Sequence, residues 1–370
     1  MGKDKIRVLF VAPRGGLLTG GIGKWACNIM GYYNSIMNST DIELYQCVNL
    51  KSKESWGVEG IVRRVIIGVS NYLPVIKEAK RELERKHHSV AHICTSASMG
   101  LFRDLIITDL AHKYGAKSVV HFHFGRIPQI MQSSGWERKY LEKLLHKVDS
   151  AVVMDRMSLE ALREKGYTNV VYIPNPLSLE TQKLIDEYES VPRVSGKIVF
   201  VGQVLRAKGA MELAEACSDI SGVTQVEYVG HMPESDFSEA LKCKTRSGKF
   251  VFTGAKPYPD VIKEIRSASI FVLPTYTEGF PNVIIESMAC GSPIITCPVG
   301  AIPEMLDLES DEPCGICVPP QNVEKLREAI MYVMNHPSEA AAMGERARQR
   351  VFAEYSVDKV WEELAEVWRS

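Results

Sequence analysis

The sequence predicts an α/β chain of two doubly wound domains, each a parallel sheet covered by helices on both faces. Three observations carry this. Short apolar runs alternate with longer amphipathic segments along most of the length, the pattern of parallel strands joined by helical crossovers. The alternation breaks once, at Ile173-Pro-Asn-Pro176, and then restarts. The 370 residues suffice for two domains of about 150–200 residues each.

In the first domain, taken as 1–180, the apolar runs at 6–12, 43–48, 90–94, 117–122, 150–154 and 170–173 read as strands. Helical segments start near Ile22 and cover roughly 75–87, 101–115, 136–147 and 157–165. Two prolines around Asn175 stop any regular element, and 177–195 reads as a polar, acidic connection. In the second domain, 181–355, strands fall at 198–201, 225–229, 250–253, 270–273 and 293–296. Its helices fall at 212–218, 258–267, 281–289 and 324–335, followed by helical stretches at 338–353 and 357–368. Ligands of such sheets bind beyond the carboxyl ends of the strands, and in a two-domain chain those ends can face each other across a cleft.

Composition narrows the class. The chain is 45% apolar and 24% charged, as globular proteins are. A membrane span needs about 20 uninterrupted apolar residues, and the best stretch, 58–69, is broken by Glu59, Arg63 and Arg64. No apolar leader precedes the strand at Ile6, so a cytoplasmic protein is expected. The nine cysteines are odd in number and scattered. Even Cys314-Gly-Ile-Cys317 fits small apolar residues in a buried strand and loop better than a metal knuckle. Net charge is −1, yet residues 1–179 hold 25 basic against 16 acidic side chains and residues 180–370 hold 19 against 29. Such a split suggests that the basic half faces an anionic partner; nothing points to nucleic acid.

The richest segment is Pro274-Thr-Tyr-Thr-Glu278-Gly-Phe-Pro-Asn-Val-Ile-Ile-Glu286-Ser-Met-Ala-Cys-Gly291. A strand ends at Leu273, a loop carries Glu278, Gly279 and Phe280, and Pro281 suits the first turn of a helix. The N–H groups from Gly279 to Val283 then form an anion site fit for a pyrophosphate. Glu286, about one turn further in, can accept two hydroxyl hydrogen bonds, as a ribose or sugar would offer. The plainer alternative is an acidic helix start favoured by the macrodipole.

This string resembles the Glu-x7-Glu motif of glycosyltransferase family 4, the group 1 retaining enzymes of the two-domain GT-B fold. The resemblance implies two Rossmann-like domains facing a cleft, with the C-terminal helix (356–370) crossing back to the first. It implies that Glu278 contacts the donor sugar, that Glu286 holds the ribose, and that Asn282 and Val283 offer backbone N–H groups to the phosphate. Gly279 and Phe280 belong to the same donor loop.

Other segments take roles from the same resemblance. Gly20-Gly21-Ile-Gly23 opens a helix after the first strand and matches the family's glycine loop, with Gly21 near the donor phosphate. Val199-Phe-Val-Gly202-Gln-Val-Leu-Arg206-Ala-Lys208-Gly209 resembles the family's Gly-Arg-Leu-x3-Lys-Gly pattern. Lys208 matches the lysine that neutralises the diphosphate; Gln203 stands where the family has arginine, and Arg206 is the substitute on the same loop. His123 ends a strand near the transferred sugar in the family, with His121 on the same side of that strand as the fallback. The loop at 254–258 lies where the family places the nucleobase, making Lys256 and Tyr258 the base contacts.

No Asp-x-Asp occurs in the 370 residues, so no metal and no cofactor is expected beyond the nucleotide-sugar donor. The acceptor is expected to be a sugar or lipid-linked sugar. Arg63, Arg64, Lys77, Lys80, Arg81, Arg85 and Lys86, interleaved with Ile61, Val62, Val65, Ile66, Ile67 and Leu73, could lie on an anionic membrane, which would place the protein at the inner face of the cytoplasmic membrane. Two other readings stay open. Gly21-x-Gly23-x-x-Ala26 also fits a dinucleotide fingerprint, hence an NAD-type oxidoreductase, although about eight residues separate Ala12 from Gly21 where that turn is tight. Gln203 leaves open a catalytically inactive sugar-nucleotide binder.

Overall fold

The computed structural model describes residues 5–13, 21–47 and 61–370, with side chains from 71 onward in the last stretch. Gly15 to Gly20 and the side chains of residues 61–70, among them Arg63 and Arg64, lie outside the described residues. The chain forms two compact units, 1–176 with 357–370, and 177–356.

The first unit runs β1 (Ile6–Val11), α1 (Gly21–Ile36), β2 (Ile42–Cys47), α2 (Ile61–Lys86), β3 (Val90–Thr95), α3 (Gly100–Lys113), β4 (Lys117–Phe122), α4 (Ile127–Gln132), α5 (Trp136–Leu145), β5 (Ser150–Val153), α6 (Arg156–Glu164) and β6 (Val170–Tyr172). Its strands are parallel, in the order β2-β1-β3-β4-β5-β6. Every residue of β3 is buried, because helices cover both faces. One face packs Leu9, Ile93, Val120 and Phe122 against Leu83, Leu101 and Leu144. The other packs Val8, Phe10 and Val152 with Trp25 and Ile29 of α1.

The second unit runs α7 (Leu179–Glu187), β7 (Val194–Val201), α8 (Ala210–Cys217), β8 (Gln225–Val229), α9 (Asp236–Lys244), β9 (Phe250–Gly254), α10 (Tyr258–Ser267), β10 (Ala268–Leu273), α11 (Asn282–Ala289), β11 (Ile294–Thr296), α12 (Ile302–Met305), β12 (Ile316–Cys317), α13 (Val323–Asn335) and α14 (Pro337–Glu354). The last helix, α15 (Val357–Arg369), belongs to the first unit. There Val360, Trp361, Leu364 and Trp368 join the core of α1, and Arg369 pairs with Asp41 at 2.8 Å.

The stretch 177–195, read from sequence as a connection, holds a helix. Ser178 caps α7 by accepting from the Thr181 N–H, and Leu184 and Ile185 bury one face. All nine cysteines are free.

The second sheet is parallel in the order β12-β11-β10-β7-β8-β9. Strand order therefore reverses between β7 and β10, which are neighbours although two strands, β8 and β9, separate them in sequence. Loops leaving the carboxyl ends of two such strands diverge to opposite faces and leave a crevice where ligands bind. The loops leaving β7 and β10 are the segments 202–209 and 274–281.

Candidate active site

These two loops are stitched together. The Tyr276 N–H donates to the Ala207 carbonyl at 2.9 Å, and Thr275 Oγ1 donates to the same oxygen at 3.3 Å. Arg206–Lys208 is a 3-10 turn closed by Gly209 at φ 71°. A side chain at Gly209 would place its Cβ 2.1 Å from the Pro274 carbonyl oxygen, so only glycine permits this approach. The turn presents Lys208, whose Nζ lies 2.5 Å from Glu278 Oε1. Both are largely enclosed, with side chains 27% and 15% exposed. Arg206 is exposed, its guanidinium 5.2 Å from the Phe237 ring centre, and Gln203 is exposed on the same loop.

The Glu278 loop is braced from behind. The Ala301 N–H donates to the Gly279 carbonyl at 2.8 Å. Gly300, at φ 58°, sits so close that a Cβ there would lie 2.4 Å from the Glu278 carbonyl oxygen. Phe280 is buried, its ring edge-on to Tyr355 at 5.5 Å. Pro281 precedes α11 as its N-cap, with no side-chain cap. The first N–H groups of a helix have no carbonyl of their own helix to bond, and those of Asn282 and Val283 open α11. Asn282 Oδ1 is also buried without a hydrogen-bond partner. At the far end, Arg193 donates to the carbonyls of Cys290 and Gly291 at 2.8 and 2.7 Å. A cation there complements the macrodipole and leaves the N-terminus as the anion end.

Glu286 is buried on α11 and accepts from the Tyr258 hydroxyl at 3.0 Å. That hydroxyl also bonds Thr181 Oγ1 of α7. Burial, with Glu286 beside it, pushes the Tyr258 phenol well above its ordinary pKa, so it stays a donor. Tyr258, expected at the base, thus holds the expected ribose ligand. Lys256, its expected companion, is bound elsewhere, 2.7 Å from Glu227 and 2.6 Å from Glu264. Burial works against its charge, but the two carboxylates outweigh it and hold its pKa up. Lys197, buried on β7, pairs with the same two carboxylates.

In the first unit Gly21 opens α1, with open space where a Cβ would stand. His123 follows β4, and its ring stacks on His121 at 4.1 Å and meets Trp25 edge-on at 4.6 Å. His121 and His92 are fully buried. The Trp368 indole donates to His92 Nδ1 at 3.0 Å, whereas both ring nitrogens of His121 and the Nε2 atoms of His92 and His123 are buried without partners. Burial drives all three histidines toward the neutral form, His92 and His123 down to about 3 and His121 well below its ordinary value. At neutral pH these rings are uncharged hydrogen-bonding groups.

Sequence reasoning missed Thr181, Arg193, Gly300 and the Tyr258–Glu286 hydrogen bond. Of these, only Gly300, in Pro298-Val-Gly-Ala301 ahead of α12, carried a local turn signal. Among the described residues no three His, Cys, Asp or Glu side chains group as metal ligands would, and no helix is long and apolar enough to cross a membrane.

Comparison with known proteins agrees with this geometry. Residues 186–350 match the family "Glycosyl transferases group 1". The chain is 26% identical over 286 residues to the Bacillus subtilis protein TuaC, named for teichuronic acid biosynthesis as a glycosyltransferase, covering 71% of this chain and 70% of that one. It is 26% identical over 239 residues to the Staphylococcus aureus capsular polysaccharide biosynthesis glycosyltransferase CapM, covering 62% of this chain and 60% of that one. Its fold is similar to sucrose-phosphate synthase from Thermosynechococcus elongatus, with TM-score 0.77 and 18% identity over 99% of this chain and 98% of that one. It is also similar to Anabaena HepE in complex with UDP, with TM-score 0.72 and 15% identity over 97% and 98%. The switch-point loops, the helix that starts at Asn282 and the match over residues 186–350 lead to one conclusion: the second unit resembles the group 1 glycosyltransferases.

Proposed function

We propose that the chain is a retaining glycosyltransferase whose second unit holds a nucleotide-sugar donor. The observation that carries this is the Tyr258-held Glu286 on the same helix whose free N-terminus adjoins the Lys208–Glu278 pair. In this reading Glu286 accepts the ribose hydroxyls and the N–H groups of Asn282 and Val283 meet the diphosphate. Lys208, joined by Arg206, carries the charge that grows on the diphosphate as its bond to the anomeric carbon breaks. Glu278 binds the donor sugar once Lys208 turns to the phosphate. The acceptor hydroxyl bonds to the anomeric carbon, and its proton passes to the departing phosphate oxygen. No metal enters this scheme. His123, neutral at working pH, offers a hydrogen bond to a sugar hydroxyl.

The acceptor is a sugar or lipid-linked sugar in a glycan, polysaccharide or glycolipid pathway, with the basic first half resting on the inner face of the cytoplasmic membrane. Support for the donor comes from HepE, solved with UDP and with UDP-glucose; support for the acceptor class comes from the names of TuaC and CapM. An NAD-type oxidoreductase using Gly21-x-Gly23 leaves the match over residues 186–350 unexplained. Release of nucleoside diphosphate from a nucleotide sugar, abolished by Glu278→Ala, tests the proposal. Tight donor binding with no turnover against an acceptor panel would instead indicate an inactive binder.

A further inference from the structure

The first unit carries an exposed aromatic stack that none of these roles uses. Trp136 opens α5 and is 49% exposed. Phe102 of α3 lies against it at 5.9 Å and 20° between planes. Tyr140, one turn along α5, meets Trp136 edge-on at 6.3 Å and Phe102 at 4.3 Å. Phe102 and Tyr140 thus hold the Trp136 ring, about half of which stays exposed. Ile106, 45% exposed one turn after Phe102, widens the apolar surface.

This stack is tied to the loop that carries His123. Glu137, beside Trp136, accepts Arg126 Nη1 at 2.9 Å and Nη2 at 2.6 Å. It also accepts the Ser98 N–H at 2.9 Å. Arg126 ends the loop after β4, and Ser98 lies in the loop after β3. Ala97 and Ser98 are held at φ 62° and 52°, a strained pair for residues other than glycine; such strain persists only where neighbours fix it.

We infer that Trp136 is a stacking platform for a neutral pyranose ring of the acceptor glycan, its helix tied through Glu137 and Arg126 to the loop that carries His123. The C–H face of a pyranose carries slight positive charge and meets the negative face of an indole. The surrounding charge favours a neutral sugar over an anionic bilayer, because the nearby arginines are already matched. Arg126 pairs with Glu137, Arg138 with Glu142 and Arg103 with Asp104. The inference rests on the glycosyltransferase reading for the word acceptor, and its test separates the two.

The full chain, wild type and the variants Trp136→Ala and Trp136→Phe, is applied with UDP to an array of neutral oligosaccharides and to vesicles of phosphatidylserine and phosphatidylcholine. Wild type is expected to capture at least one oligosaccharide class. Trp136→Ala should weaken that capture about tenfold or more, Trp136→Phe should largely restore it, and vesicle binding should be equal in all three. No oligosaccharide captured, capture unchanged in Trp136→Ala, or loss of vesicle binding in that variant overturns the platform. Donor hydrolysis measured alongside stays the same in all three proteins if the platform alone is wrong, and is absent from all three if the glycosyltransferase reading is wrong.

Discussion

The Lys208 ammonium lies 2.5 Å from the Glu278 carboxylate, so the cation proposed for the phosphate and the anion proposed for the sugar are paired with each other. A diphosphate must compete with Glu278 for Lys208. Glu278→Gln keeps the shape and removes the competing charge. It should tighten the binding of a nucleoside diphosphate without sugar roughly threefold to tenfold while lowering turnover about 100-fold or more. Calorimetry with UDP and GDP beside steady-state rates checks this; equal or weaker diphosphate binding would mean that the pair does not gate the site.

In the proposed function Tyr258 acts on the ribose through Glu286. Tyr258→Phe removes only the hydroxyl that reaches Glu286 Oε1 at 3.0 Å. A hydrogen bond to a charged group contributes about 1.5–3 kcal/mol, so the donor KM should rise roughly tenfold or more with kcat changed much less. A fall in kcat at unchanged donor KM would remove Tyr258 from the donor site.

Gly300 is a packing requirement for the Glu278 loop. In Gly300→Ala the new Cβ would stand 2.4 Å from the Glu278 carbonyl oxygen at φ 58°, and the Glu278–Gly279 backbone must move. Donor affinity should fall at least tenfold, with stability lowered by more than about 1 kcal/mol. Gly248→Ala, where nothing lies within 4 Å of the added carbon, is the control. Thermal melts and donor titrations of both variants decide it; matching behaviour would contradict the bracing.

The buried histidines make the first unit acid-sensitive. His92 and His123 are held down at about 3 and His121 well below its usual value, chiefly by burial, whereas in the unfolded chain each titrates near about 6.5. Between those values the unfolded chain binds more protons. Stability is therefore complete above about pH 6.5 and lost as pH falls below it, at about 1.4 kcal/mol per pH unit for each of the fully buried His92 and His121. Melting temperatures between pH 7.5 and 5 should drop steeply, and His121→Phe should flatten the slope by about one proton. A melting temperature constant over that range would contradict the neutral cluster.

Much of the candidate site's local geometry was legible because it lies within one segment. Glycine, proline and two glutamates within one strand-loop-helix segment encode a turn, a helix start and two carboxylates on one element. What escaped is long-range. The bond from Tyr258 to Thr181 joins residues 77 apart, and that from Arg193 to Gly291 joins residues 98 apart, so no periodicity or spacing could announce them. Lys256 and Tyr258 were placed correctly on a loop and helix start after β9, but their side chains turn to carboxylates that the sequence does not juxtapose. Helix α7 escaped for a different reason. Its polar, acidic composition between Pro176 and Pro192 resembles a linker, while the Ser178 cap and the buried Leu184 and Ile185 are only one turn's worth of signal.

The central claim is that α11, through Glu286 and its N-terminal N–H groups, binds a nucleotide sugar. The most direct measurement is a thermal-shift and hydrolysis screen of UDP-, GDP-, ADP- and dTDP-sugars on wild type and Glu286→Ala. Ligand binding raises apparent stability by mass action, about 2.7 kcal/mol at a hundred times Kd. One donor base should raise the wild-type melting temperature and release its nucleoside diphosphate, with both effects lost in Glu286→Ala. Equal shifts in the two proteins, or no shift with any donor, would contradict it.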